Sequence, residues 1–162
     1  MTQIKEIKTV TQLESSLEVI RTSFGTVARE MNLRQENAPS HPSFSTMERL
    51  RDFHKRASFY GLYDDKNQVG FVAVEKGEGG VYYMDRLAVL PEFRHRGYGR
   101  QLVEFALDAA KRDGGKKVAL GMIDKQKILK DWYKSLGFRE TGTRQFEHLP
   151  FVVCFMEIDL SA

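Results

Sequence analysis

A single cysteine, Cys154, stands in 162 residues, so no disulfide can close within the chain and no site of several cysteines can hold zinc. Proline is nearly as scarce, with four in all, two of them at Pro39 and Pro42, so strong backbone breaks are confined to few places. No long apolar run occurs. The most apolar stretch, residues 151–156, is six residues, against the roughly 20 that a membrane-spanning helix needs. The opening MTQIKEIKTV carries no apolar signal core, and the expectation is a cytoplasmic protein with no membrane partner. No internal repeat or low-complexity tract is present. Neither sign of charge dominates: 25 basic against 22 acidic side chains leave +3, too little to argue for nucleic acid.

What remains is a globular composition, 41% hydrophobic and 29% charged, of a length that suits one domain over residues 1–162. Residues 4–10 read as a first strand. Thr11 and Glu14 have capping-box spacing, and Leu13, Leu17, Ile20, Phe24 and Val27 follow at helical steps, which gives a helix with one apolar face. Residues 37–44 contain both early prolines and read as irregular. Ser45 and Glu48 repeat the capping spacing ahead of a short helix over residues 46–54 that buries Met47, Leu50 and Phe53. Strands over 58–63, 68–76 and 81–89, joined by short polar or glycine-rich turns, form an antiparallel meander. A helix over 97–112 stops at Gly114 and Gly115. A strand over 117–122, a helix over 126–136 ended by Gly137, and a strand over 151–160 complete the chain. The pattern predicts an α/β protein, a mixed sheet with helices on its faces.

The sharpest local feature is the junction Leu87-Ala88-Val89-Leu90-Pro91-Glu92-Phe93-Arg94-His95-Arg96-Gly97-Tyr98-Gly99-Arg100. Two glycines sit where a strand turns into a helix, so amides can approach an anion that the helix dipole also favours. Arg94, His95, Arg96 and Arg100 surround the same point within seven residues. A diphosphate fits this chemistry. The plainer reading is a tight turn with a solvated basic face, and for an isolated Gly-x-Gly that reading is the better one. The strand before it, the break at Pro91 and the amphipathic helix after it favour the anion. A dinucleotide fingerprint fails because Leu102 stands where its third glycine belongs, and no P-loop run exists.

Arg94-x-x-Gly97-x-Gly99 after a Leu-Ala-Val-x-Pro strand end resembles the acetyl-CoA signature of the GNAT superfamily of N-acetyltransferases, and Trp132-Tyr133-Lys134-Ser135-Leu136-Gly137-Phe138 resembles its second motif. The resemblance spans nearly the whole chain and says little about the acceptor. It implies a mostly antiparallel central sheet with a V-shaped splay between the fourth and fifth strands and helices on both faces. It also implies acetyl-CoA as co-substrate, without a metal, and transfer to the primary amine of a small molecule or peptide in a ternary complex. The pantetheine arm would bond to the backbone of Leu87, Ala88 and Val89. The diphosphate would sit on the amides of His95, Arg96, Gly97, Tyr98, Gly99 and Arg100, with the Arg94 and Arg96 side chains contributing less. Gln126 stands where the family often has an asparagine near the pantetheine, and Leu129 where it often has a small residue. Tyr133 matches the general acid, and its ordinary pKa of about 10 suits protonating a departing thiolate.

The base is open. Tyr83 occupies the place where some members carry a glutamate. Asp85, Glu75, His148, His41 and water all remain candidates. Cys154 lies in an apolar strand and reads as a small buried hydrophobe rather than a nucleophile. Relatives often pair as homodimers, so a second copy is among the expected partners. A non-catalytic acyl-CoA-binding or protein-interaction module on the same fold is the alternative. The acceptor wall, residues 31–54 with the loop before the last strand, mixes Arg34, Glu36, His41, Glu48, Arg49 and Arg51. A polyamine, an aminoglycoside, an amino acid and a peptide N-terminus are all compatible with it.

Overall fold

The structure, a computed structural model, describes residues 1–160. Its strands are β1 (Thr2–Glu6), β2 (Ala57–Asp64), β3 (Asn67–Lys76), β4 (Val81–Val89), β5 (Lys117–Ile123), β6 (Arg139–Gln145) and β7 (Val152–Asp159). Its helices are α1 (Val10–Glu30), α2 (Met47–His54), α3 (Tyr98–Arg112) and α4 (Lys127–Ser135). One sheet carries all the strands in the order β1-β2-β3-β4-β5-β7-β6. Only β4 and β5 pair in parallel; the other neighbours are antiparallel.

Strand alternation divides the core in two. Phe59, Phe71, Ala73 and Ala88 join Leu13 and Ile20 of α1 and Leu50 and Phe53 of α2 on one face. Val72, Val74, Met84, Leu120 and Met156 join Leu102, Val103 and Ala106 of α3 and Tyr133 of α4 on the other. Phe59 and Phe71 are fully buried, and truncating either to alanine is expected to cost about 3–5 kcal/mol.

The element ends differ from the sequence expectation in instructive ways. β1 stops at Glu6 because α1 begins at Val10 with Thr9 as its N-cap. Thr9 Oγ1 accepts from the Gln12 amide at 3.2 Å, while Gln12 Oε1 accepts from the Thr9 amide at 2.9 Å. The capping box is therefore Thr9 with Gln12 rather than Thr11 with Glu14. At α2 the cap is Thr46, which accepts from the Arg49 amide. Ser45 closes the preceding turn instead, donating to the Pro42 carbonyl at 2.6 Å. Gln126 caps α4 by position only, without a side-chain bond.

Helix α4 is fixed by charge as well as by packing. Lys130 Nζ lies 2.5 Å from Asp124 Oδ1 and 3.3 Å from Glu140 Oε1, and Lys134 Nζ lies 3.0 Å from Glu140 Oε2. These pairs tie α4 to the end of β5 and to β6. They also hold the Glu140 carboxyl down to about 2, chiefly through Lys134. Asp124, Glu140 and Cys154 come within 4.8 Å of one another, and the cation among them is the Lys130 ammonium.

His41 is buried at the start of the turn Pro42–Phe44. Its Nδ1 accepts from the Ser43 amide and lies 2.8 Å from Ser43 Oγ, with Phe24 and Phe44 edge-on to the ring. It is a structural cap, and burial lowers its pKa from 6.5 to about 4. A group whose folded pKa is lowered stabilises the fold above its unfolded pKa and loses that contribution as the pH falls. The expected outcome is a loss of stability between pH 6.5 and 4, at most on the order of 3 kcal/mol. In His41→Asn, which keeps a capping side chain but cannot titrate there, the loss over that window should flatten. Thermal melts of both proteins at stepped pH check this.

Candidate active site

The parallel pairing of β4 with β5 covers only Val81–Lys117, Tyr82–Val118 and Tyr83–Ala119. Beyond it β5 stays paired with β7 as far as Ile123, and β4 stays paired with β3 as far as Val89. The two strands part, leaving a gap edged by residues 84–89 on one side and 120–123 on the other. A bulge accounts for the parting. Phe71 faces Ala88 and Ala73 faces Asp85, so Arg86 and Leu87 together oppose Val72. Arg86 takes φ 52°, and such a bulge bends its strand away from a straight course. Leu87, Ala88 and Val89, expected to offer backbone to a pantetheine arm, lie on this freed edge.

Past β4, a turn over Pro91–Phe93 leads into residues with alternating handedness. His95 has φ 65° and Gly97 has φ 81°. Such alternation points successive N–H groups into one concavity. The Gln101 amide is the first to bond back into α3, to the Gly97 carbonyl. Among the described residues, the six amides from 95 to 100 have no hydrogen-bond acceptor. They form a positive cradle at a helix N-terminus, and they are the amides of the six residues proposed from sequence.

The basic side chains around the cradle are disposed differently from their spacing in sequence. Arg94 turns back onto α1. Its Nε donates to the Val89 carbonyl at 3.3 Å, Nη2 to the Ser23 carbonyl at 3.0 Å, and Nη1 to Thr26 Oγ1 at 3.3 Å. Two hydroxyls and a helix carbonyl meet the guanidinium there, so the side chain works as a strut between the loop and α1. Arg96 stacks on Phe93 at 4.9 Å, Arg100 pairs with Glu104 at 2.7 Å, and Tyr98 donates to Asp64 at 3.2 Å. Nothing in the sequence signalled Ser23 and Thr26, which lie 68 to 71 residues from Arg94.

Helix α4 supplies the other wall. The Trp132 ring packs over Gly99, where an added Cβ would lie 3.4 Å from it. Tyr133 is 6% exposed and packs against Trp132 and Phe138. Its hydroxyl has no hydrogen-bond partner among the described residues, and no fully enclosed polar side-chain atom there is left unsatisfied. The hydroxyl therefore opens onto accessible space. Burial, with the Asp85 carboxylate adding to it, holds the phenol above the usual tyrosine range. Asp85 belongs to the opposite sheet face, so its charge reaches Tyr133 across the gap.

Of the other candidate bases, Glu75 pairs with Arg56 at 3.2 Å, and Asp85 pairs with Arg86 at the same distance. His148 is exposed beside Phe146. Tyr83 is 47% exposed. Cys154 is fully buried, with its thiol against Glu140 and pushed upward, first by desolvation.

The model of the acetyltransferase (GNAT) family matches residues 27–138. The chain belongs to the GNAT acetyltransferase family. The Escherichia coli ribosomal-protein-S18-alanine N-acetyltransferase superposes with TM-score 0.80 at 17% identity, over 100% of this chain and 96% of that one. The PaiA N-acetyltransferase of Thermoplasma acidophilum, solved in complex with coenzyme A, gives 0.72 at 18%, over 98% and 99%. A Bacillus anthracis protein solved with acetyl coenzyme A gives 0.59 at 18%, over 64% and 62%. These likenesses show the fold. A segment of 46 residues is 39% identical to the histone acetyltransferase esa1 of Emericella nidulans, spanning 28% of this chain and 9% of that protein.

Within this GNAT fold, Gln126 stands at the start of α4 beside the end of β5, with its amide donating to the Ile123 carbonyl. Leu129 packs against the α3/α4 core. The two signature glycines have separate roles. Gly97 has φ +81° with open space around it, whereas Gly99 is helical beneath Trp132. Gly97→Ala is expected to cost about 1 kcal/mol of stability from backbone strain and to weaken CoA binding by distorting the cradle. Gly99→Ala should bind CoA within a few-fold of wild type, and Gly99→Val should displace the Trp132 ring and lose binding. Calorimetry with CoA on the three variants checks the order.

Proposed function

We propose that the protein transfers the acetyl group of acetyl-CoA directly to the primary amine of a small-molecule or peptide acceptor, with both substrates bound together. The observation that carries this reading is the cradle of six free amides set at the mouth of the splay. Six N–H donors at a helix N-terminus suit a diphosphate. The freed edge of β4 at Leu87, Ala88 and Val89 suits the amides of a pantetheine arm, and Gln126, at the start of α4, is the residue proposed to meet it from the β5 side. The bound co-substrate supplies an activated thioester carbonyl, and the protein aligns the amine with it.

Tyr133 serves as general acid. Its buried phenol stays protonated at neutral pH and, with no partner of its own, is free to donate to the sulfur. The amine adds to the thioester carbonyl, whose electron pair moves onto oxygen; as this tetrahedral intermediate collapses the carbon–sulfur bond breaks, its electron pair leaves on sulfur, and Tyr133 delivers the proton there. Asp85, half-exposed at the gap and paired with Arg86 through one oxygen, accepts the proton lost by the amine, directly or through water.

Tyr133→Phe keeps the ring and removes only the hydroxyl. Turnover should fall about a hundred- to ten-thousand-fold, with CoA affinity nearly unchanged. Rates of thiol release together with CoA calorimetry separate this from a packing role, in which turnover would stay near wild type. CoA at 100 times its dissociation constant should add about 2.7 kcal/mol of stability, a rise in melting temperature of several degrees. An unmoved thermal transition would contradict the cofactor assignment.

A further inference from the structure

Among the described residues, part of one sheet face beside the gap is left open. Met84, Leu120, Cys154 and Met156 face α3 and α4, so alternation turns Tyr83, Asp85, Gly121 and Phe155 to the other side. There α1 and α2 pack over β2, β3 and β4. The segment after α1 reaches across only to Ile123 and Phe151. Between these covers the surface is open: Tyr83 is 47% exposed and Phe155 36% exposed.

The register makes this opening a shaped floor. Phe155 faces Gly121 on β5 and Gly142 on β6. A ring flanked by glycine on both neighbouring strands has no side chain rising beside it. An added Cβ on Gly121 would lie 3.7 Å from two Phe155 ring carbons, so the ring reclines over Gly121, toward the gap. Phe146 stands edge-on to Phe155 at 6.4 Å, with the Arg144 guanidinium over its own ring at 4.6 Å. Tyr83 and Ala119 are the last parallel pair, so Asp85 and Gly121, each two residues further on, stand at one level across the splay. The floor thus runs from Asp85, paired with Arg86 at 3.2 Å beside the reaction gap, to a reclined aromatic ring.

We propose that this floor holds the body of the acceptor and that the acceptor is a small arylalkylamine, a primary amine on a short chain attached to an aromatic ring. The inference rests on the acetyl-transfer reading above. Asp85, exchanging its Arg86 partner for the amine, receives that end, and Phe155 stacks the ring. Glu75 and Glu157 share this face but are held by Arg56, Lys117 and Arg139, so the further cations of a polyamine or an aminoglycoside would have to compete with those pairs.

The test compares phenethylamine, propylamine, spermidine and kanamycin as acceptors, with calorimetry of phenethylamine binding to the CoA-loaded protein. Phenethylamine should exceed spermidine and kanamycin in kcat/KM by about tenfold or more. Phe155→Ala and the better-packed Phe155→Leu should both raise KM for phenethylamine about tenfold more than KM for propylamine, with CoA affinity unchanged. Preference for spermidine or kanamycin, an equal loss for both monoamines, or no phenethylamine binding overturns the floor assignment. If phenethylamine binds in a Phe155-dependent way but no amine is acetylated, the acetyl-transfer reading fails and the floor assignment stands.

Discussion

Three residue pairs hold β4 to β5, and the structure turns on their stopping at Tyr83 and Ala119. A parallel sheet normally continues its ladder, because buried unpaired backbone is costly. Here the bulge of Arg86 and Leu87 against Val72 bends β4 off its course while β5 remains tied to β7. The result is a strand edge inside the protein rather than at its rim. That edge can be satisfied by an extended molecule with amide groups of its own. The same bend carries Val89 to the turn at Pro91 and sets the free amides of residues 95–100 at the mouth of the gap.

Two anchors keep this opening from collapsing. Arg94 fastens the amide loop to α1 through Ser23, Thr26 and Val89. Lys130 and Lys134 fasten α4 to Asp124 and Glu140. The first fixes the anion cradle relative to the helix that covers the other sheet face. The second fixes the helix carrying Trp132 and Tyr133. Exposed ion pairs contribute little to stability on their own. In the proposed reaction their value is positional, since a phenol must stand within hydrogen-bond reach of a departing sulfur to act.

Much of this was legible in the sequence. Every helix and six of the seven strands follow from apolar spacing, and the glycine-bearing junction marked the loop whose amides are left without acceptors. β6 escaped because RETGTRQ is exposed at every position; a strand with no buried face has no hydrophobic alternation to read. The capping boxes were misplaced by one or two residues because Thr9, Thr11, Ser45 and Thr46 offer equivalent hydroxyls, and only backbone geometry chooses among them. The inward turn of Arg94 depends on partners far away in the chain. The influence of the Asp85 carboxylate on the Tyr133 phenol depends on where the gap between β4 and β5 places the two groups. The floor around Phe155 needed the β6–β7 register, which places Gly142 opposite the ring.

The central claim is that the amides from 95 to 100 bind the diphosphate. Amide chemical shifts followed by NMR during a titration with CoA test it most directly. The account predicts that His95, Arg96, Gly97, Tyr98, Gly99 and Arg100 show the largest shifts, saturating together with those of residues 87–89. If those amides stay unmoved while shifts gather elsewhere, for instance around Lys55, Lys76 and Arg112 at the far end of α3, the account is contradicted.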